Sequence, residues 1–173
     1  MRAKNLITYI KVVNEIVNTK KNDNFHFVQI GSFTERTTMY LELIEQYGLK
    51  NHISFTDFVK NASAFLPQFD FFLLTSQSEG LPQVINEAFY FKVPVISTNA
   101  GGITDIVINE RTGFLANVND YKALADKLML AHQDKSRIEA IVNNANKQLL
   151  EGFSTKIMAQ KTIELYKLVL NKR

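Results

Sequence analysis

Short apolar runs rich in Val, Ile and Phe alternate along the chain with longer stretches in which apolar residues recur at helical spacing. That alternation predicts repeated βαβ units around a parallel sheet, a doubly wound α/β domain. Leu6, Ile10, Val13 and Val17 mark a first helix, and Phe25 to Ile30 read as a strand that stops at Gly31. Met39 to Tyr47 predicts a helix closed by Gly48, His52 to Phe55 a short strand, and Ala62 to Leu66 a short helix. Asp70 to Thr75, with four consecutive apolar residues, predicts a buried strand, and Val93 to Thr98 and Gly113 to Asn117 continue the sheet. A brief helix from Ile103 to Ile108 separates those two. After Asp120 come three helices, broken near Gln133 to Ser136 and near Gly152 to Ser154. The chain opens almost directly into its first helix at Lys4 and Asn5, with no strand before it.

With 173 residues, 46% hydrophobic and 21% charged, the composition is that of an ordinary folded domain. A chain of this size buries roughly 70% of its unfolded surface and needs no disulfide or structural metal. The absence of cysteine excludes a disulfide framework, a thiol nucleophile and a thiolate metal site, and fits a reducing, cytoplasmic setting. Twenty basic against seventeen acidic residues leave a charge of +3 that is spread along the chain, so nucleic acid is not an expected partner. The densest basic stretch runs from Lys156 to Arg173, where Lys161, Lys167, Lys172 and Arg173 accompany one acid, Glu164. Such a tail suits a solvated helix face or peripheral contact with an anionic membrane surface at the inner side of the cell. No apolar run approaches the roughly 18 residues of a span, and the start lacks a signal-peptide pattern. His26, His52 and His132 have no spacing suited to zinc or a triad.

The segment Ser76 to Glu87, SQSEGLPQVINE, follows the expected strand Asp70 to Thr75 and leads into a helix that Pro82 is suited to open. Ligands of open α/β sheets settle outside the carboxyl ends of the strands, where this loop must lie. Glu87 falls in the early turns of that helix, and helical side chains tilt toward the N-terminus, so it can reach back toward Glu79. Two carboxylates then flank one pocket. Each can accept from a pair of neighbouring hydroxyls, as sugars and ribose offer. Gly80 allows close approach of the backbone to a ligand. The same acids also complement the positive end of a helix, or form a glycosidase pair. In VPVISTNAGGITD, Val93 to Asp105, Gly101 and Gly102 suit a tight turn or an anion site at a helix start. Neither GxGxxG nor GxxxxGK[ST] occurs, which removes dinucleotide and NTPase phosphate loops. Arg2 and Lys4, just before the first helix, are the cations best placed to offset the acids if a diphosphate binds.

Taken together, Lys4 and Asn5 before a helix, SEGLPQVINEA, VPVISTNAGGITDIV, TGFLANVND and YKALADKL resemble, in order and spacing, the C-terminal half of retaining glycosyltransferases of family 4. The likeness covers nearly the whole of residues 1–173. Its most specific part is Glu79 and Glu87, separated by seven residues, inside an EG[FL]-x-x-V-x-x-EA context. The resemblance implies a Rossmann-like lobe of the GT-B fold that binds a nucleotide-sugar donor such as a UDP-, GDP- or ADP-sugar, with no obligatory metal or other cofactor. It implies that Glu79 and the main chain of Gly80 and Leu81 meet the sugar, that Glu87 meets the ribose hydroxyls, and that Lys4 meets the diphosphate. Arg2 is a weaker match to the family pattern; Gly31 and Pro82 complete the substrate-binding set. The implied activity is transfer of a sugar to an acceptor hydroxyl with retention, in cell-surface polysaccharide or glycolipid synthesis. The rivals are a non-catalytic nucleotide or sugar-nucleotide module and a lobe of a sugar-nucleotide epimerase.

The sequence departs from the family at Asp57 and Phe33, where members usually carry glycine. The larger departure is length, because the family has a second, N-terminal lobe that binds acceptor and acts as the partner across the cleft. The first strand of this lobe, central in the Rossmann order, is also missing. The expectation is therefore a five-stranded remnant whose first helix is poorly anchored unless a segment of another chain, or some rearrangement, covers the gap.

Overall fold

The computed structural model describes residues 4–31, 37–153 and 155–170; at 155 and 156 it describes the backbone alone. Arg2 and Phe33 lie outside these residues, as do Lys172 and Arg173. The α/β alternation is the expected one. Helix α1 (Leu6–Asn14) runs on into a π-helical turn, Glu15–Thr19, and leads to strand β1 (Phe27–Ile30). Helix α2 (Thr37–Gln46) ends at Gly48, whose positive φ of 67° lets Leu49 N–H reach back to the Ile44 carbonyl. Strand β2 (Ile53–Thr56), a 3-10 segment Ala62–Gln68 and strand β3 (Phe72–Leu74) follow. Next come helix α3 (Gln83–Tyr90), strand β4 (Val95–Thr98), a 3-10 turn Gly101–Asp105 and strand β5 (Phe114–Ala116). Three helices close the chain: α4 (Tyr121–Gln133), α5 (Lys135–Gly152) and α6 (Thr155–Leu170).

All strand pairs among the described residues are parallel, but they form two sheets rather than one. Strand β1 pairs with β2, Phe27 opposite Ile53, while β3, β4 and β5 pair in that order, with Leu73, Ile96 and Phe114 in line. The five strands among the described residues, and the interruption between β1 and β3, agree with the expected strand count and gap. Burial follows the pairing. All four residues of β4, flanked on both sides, are buried, whereas in β1 only Phe27 is. The expected buried strand Asp70 to Thr75 is shorter and more open, with Phe72 and Leu73 only partly covered, because one edge of β3 faces no strand.

The expectation of a poorly anchored first helix is corrected. Ile10, Val12, Val13 and Ile16 are fully buried, packed into one apolar cluster with Ile44 of α2 and Leu124 and Leu128 of α4. Anchorage comes from neighbouring helices on that face, so it survives the gap in the sheet. A second cluster on the other side joins Leu66, Ile85 and Phe89 to Ile103, Ile106 and Ala145. Asp120 and Asp134 cap α4 and α5, each carboxylate accepting an N–H three residues on at 3.0 Å. Helix α6 leaves Ile163, Tyr166 and Leu170 exposed. No helix among the described residues is long and apolar enough to cross a membrane.

Candidate functional site

The carboxyl ends of β3 and β4 and the start of α1 converge. Thr75, just past β3, donates its hydroxyl to the carbonyls of Lys4 and Asn5 at 3.1 and 3.2 Å, so the entry to α1 is fastened to the end of that strand. Asn5 caps the helix in a left-handed conformation, φ 49°, and its side-chain amide donates to Thr8 Oγ1 at 2.7 Å and Asn119 Oδ1 at 2.9 Å. Gln77 donates to the same Asn119 oxygen at 3.3 Å. These ties fix where Lys4 emerges.

Lys4 Nζ donates to Glu79 Oε1 at 2.7 Å, and Ser76 Oγ donates to the same oxygen at 2.6 Å. The Glu79 side chain is only 13% exposed, against 61% for Lys4. Burial pushes the Glu79 carboxyl up, but the bonds from Lys4 and Ser76 and the Lys4 charge outweigh it and hold the group below its ordinary value. Glu79 is thus an ionised acceptor held in one position.

The loop that carries Glu79 is braced by the glycine pair. Gly102 N–H donates to the Glu79 carbonyl at 3.0 Å. A Cβ on Gly102 would lie 1.7 Å from the Gly80 carbonyl oxygen, and one on Gly101, where φ is +53°, 2.3 Å from the Glu79 carbonyl oxygen. Of the two roles open to these glycines, the structure gives them the tight packing turn. Gly80 itself has open space where a Cβ would stand, and Leu81 is half exposed beside it. Pro82 is buried and occupies the cap position before α3 rather than its first turn, with Ile85 N–H donating to its carbonyl at 3.0 Å.

Lys4, Gly31 and Glu87 line one cavity of about 1070 Å³ that runs between β1 and β3. Glu87 is exposed on α3. Glu79 is not among the lining residues, so the expectation of two carboxylates flanking one pocket is corrected: Glu87 lines the cavity, whereas Glu79 is bonded to Lys4, which lines it. Among the described residues no cluster of three or more His, Asp or Glu is arranged to hold a metal ion.

The glycosyl transferases group 1 family model matches residues 1–148. The chain belongs to that family. Among group 1 relatives, the capsular polysaccharide biosynthesis glycosyltransferase CapM of Staphylococcus aureus is 33% identical over 108 residues, covering 62% of this chain and 28% of CapM. Anabaena HepE, solved in complex with UDP-glucose, superposes with a TM-score of 0.86 at 22% identity, covering 96% of this chain and 46% of HepE. The C-terminal domain of LpcC, a group 1 protein of Francisella tularensis, superposes with a TM-score of 0.78 at 24% identity, covering 90% of this chain and 82% of that domain. The fold is therefore that of a single GT-B lobe. The chain spans less than half the length of CapM or HepE.

Sequence reasoning missed several members of this constellation. Ser76 and Gln77 entered only as part of the segment SQSEGLPQVINE, Thr75 only as the end of a predicted strand and Asn119 only inside TGFLANVND; none was singled out, since the partners of Thr75, Gln77 and Asn119 are far away in sequence. Arg2 lies outside the described residues.

Proposed function

We propose that this chain is the donor-binding lobe of a retaining glycosyltransferase of family 4, moving a sugar from a nucleotide-sugar to an acceptor hydroxyl in cell-surface polysaccharide or glycolipid synthesis. The observation that carries the reading is the Lys4 Nζ to Glu79 Oε1 contact of 2.7 Å at the carboxyl end of β3, beside a cavity that Gly31 and Glu87 also line. An ammonium has three donors and Glu79 uses one, which leaves two for diphosphate oxygens. Lys4 then neutralises charge on both sides and lets an acid and a diphosphate share one site.

In this reading Glu79 accepts from sugar hydroxyls, with its ionised state maintained by Lys4 and Ser76. The open space over Gly80 and the adjacent main chain of Leu81 admit the sugar ring. Glu87, free of ion pairs with the described residues, accepts from the ribose hydroxyls. Gly31 and Pro82 shape the rim, and Arg2 adds a second cation toward the phosphates. Transfer itself requires an acceptor-binding partner lobe, because proximity and exclusion of water arise only when two lobes close on the reacting atoms. The chain alone binds donor without turnover.

Calorimetric titration with UDP-, GDP- and ADP-sugars tests this. One nucleotide-sugar binds at millimolar Kd or tighter, and Lys4→Ala and Glu87→Ala each weaken it at least fivefold. Binding unchanged in both variants would overturn the site.

A further inference from the structure

We propose that Thr98, at the end of β4, is a positioning residue for Glu79: acting through Ser76, it holds the carboxylate with Oε1 engaged and Oε2 turned to the ligand. What Oε2 meets rests on the donor-binding reading, whereas the hydroxyl relay beneath it is a property of the free chain.

The relay starts from burial. Thr75, Ser76, Ser97 and Thr98 lie at the carboxyl ends of β3 and β4, and all four are buried, the last three completely. A buried hydroxyl needs a partner, and a strand end offers carbonyls that the ladder does not use. Ser97 Oγ donates to the Thr98 carbonyl at 3.1 Å, a local bond. Thr98 Oγ1 instead leaves its own strand and donates to the Ser76 carbonyl at 2.6 Å. Thr75 does the same toward the carbonyls of Lys4 and Asn5. Two threonines thus fix two stretches of backbone. The side chains carried there, Lys4 and Ser76, are the two donors to Glu79 Oε1, at 2.7 and 2.6 Å.

Each bond controls the next. A serine hydroxyl has staggered positions about χ1, and which of them meets Glu79 depends on where the Ser76 peptide lies. Thr98 sets that peptide through its carbonyl. The last torsion of a glutamate is broad, so a carboxylate held by one donor still turns. Two donors on the same oxygen, one from the start of α1 and one from the loop after β3, remove that freedom. Of the two, Ser76 is the firmer, because it is fully buried on a one-carbon stem, whereas Lys4 is largely exposed on a flexible one.

The other oxygen is left available. No described residue donates to Glu79 Oε2. Among the described residues the one buried side-chain oxygen without a partner is Asn86 Oδ1, so Oε2 is open to solvent. A ligand therefore meets a single oxygen, whose two lone-pair sites can take two hydroxyl donors. Fixing that acceptor in advance reduces the ordering that binding would otherwise require.

The test reads the Glu79 carboxyl itself, by carbon NMR titration of the 173-residue chain without ligand. Lys4 is the charged group acting on Glu79 among the described residues, and it is present in every variant. Ser76→Ala removes a donor to the ionised form and should raise the midpoint of the Glu79 titration. Thr98→Val keeps the shape of a side chain that makes no hydrogen bond to Glu79, yet should raise the midpoint too. Thr98→Ser, which keeps the hydroxyl, should return it to the wild-type value. In the Ser76→Ala background Thr98→Val should add no further rise, since the relay is already cut. A Thr98→Val midpoint equal to that of the wild type would overturn the proposal, as would the same rise with and without the Ser76 hydroxyl. Should Thr98→Val not fold, the wild-type chain decides: three-bond couplings about χ1 of Ser76 should report one rotamer, and averaging among rotamers would overturn the relay. Because no ligand enters, a failure of donor binding leaves the relay standing, and a failed relay leaves the donor-binding reading to its own titration.

Discussion

The block β3-β4-β5 and the pair β1-β2 are built from similar apolar residues, yet they are covered very differently. In β4 every residue is buried, while three of the four in β1 stay partly exposed. Composition does not explain this, since FVQI and VIST are equally short and both are apolar in part. Position does: a strand flanked on both edges is covered by its neighbours and by helices on each face, whereas a strand beside a gap keeps one flank open. The chemistry divides along the same seam. In the proposed site, the closed block supplies the Glu79 loop, braced on the glycine turn. The open pair supplies Gly31 across the gap, and α1 joins the two by carrying Lys4 to Glu79.

The contrast is broken most severely at its most buried point. Ile96→Ala in β4 removes a fully buried side chain and should cost about 4 kcal/mol. Val28→Ala in β1, facing partly open space, should cost less than about 1 kcal/mol, as read by urea unfolding. Comparable costs would mean that the two sheets are equally covered in solution.

Next comes the brace. Gly102→Ala places a methyl against the Gly80 carbonyl and should cost about 3 kcal/mol. For a domain of this size that lowers Tm by roughly 6 to 12 °C. Gly80→Ala, with open space around its Cβ position, should stay within about 0.5 kcal/mol. A benign Gly102→Ala would show that the loop does not rest on the glycine turn.

The smallest effect is electrostatic. Because the folded state holds the Glu79 carboxyl below its ordinary value, its contribution is complete above the unfolded pKa, ~4.3, and is lost as pH falls through the lower folded value. Glu79→Gln should flatten that acid limb of the stability curve and cost less than about 1 kcal/mol at neutral pH, since Lys4 is largely exposed. An unchanged acid limb would remove Glu79 as its source.

The sheet was readable because periodicity, turn residues and caps agree: β1, β4 and β5 fall inside the predicted segments, β2 runs one residue past its own, and the break at Asp134 is a cap that a sequence displays openly. The ends of Asp70 to Thr75 were not readable, since pairing depends on a neighbour that local pattern does not report. Likewise, the helical spacing through Val17 does not distinguish an α-turn from the π-turn Glu15–Thr19, and Pro67 inside Ala62–Gln68 sits in a 3-10 segment with little periodicity of its own. At the candidate site, spacing and context singled out Lys4, Glu79 and Glu87, of which Lys4 and Glu79 are in contact and Lys4 and Glu87 line one cavity. The brace of Glu79 by Gly102 and the tie of Asn5 to Asn119 join residues too far apart in sequence for any local pattern to reveal.

The most direct test of the central claim, that one site straddles the seam, is to map amide NMR shifts during titration of the chain with the nucleotide-sugar that binds best by calorimetry. The account predicts shifts on both sides together, at Gly31 on the open pair and at Gly80 and Leu81 on the closed block, saturating with one affinity. Shifts confined to one sheet, or saturating with separate affinities on the two, would contradict it.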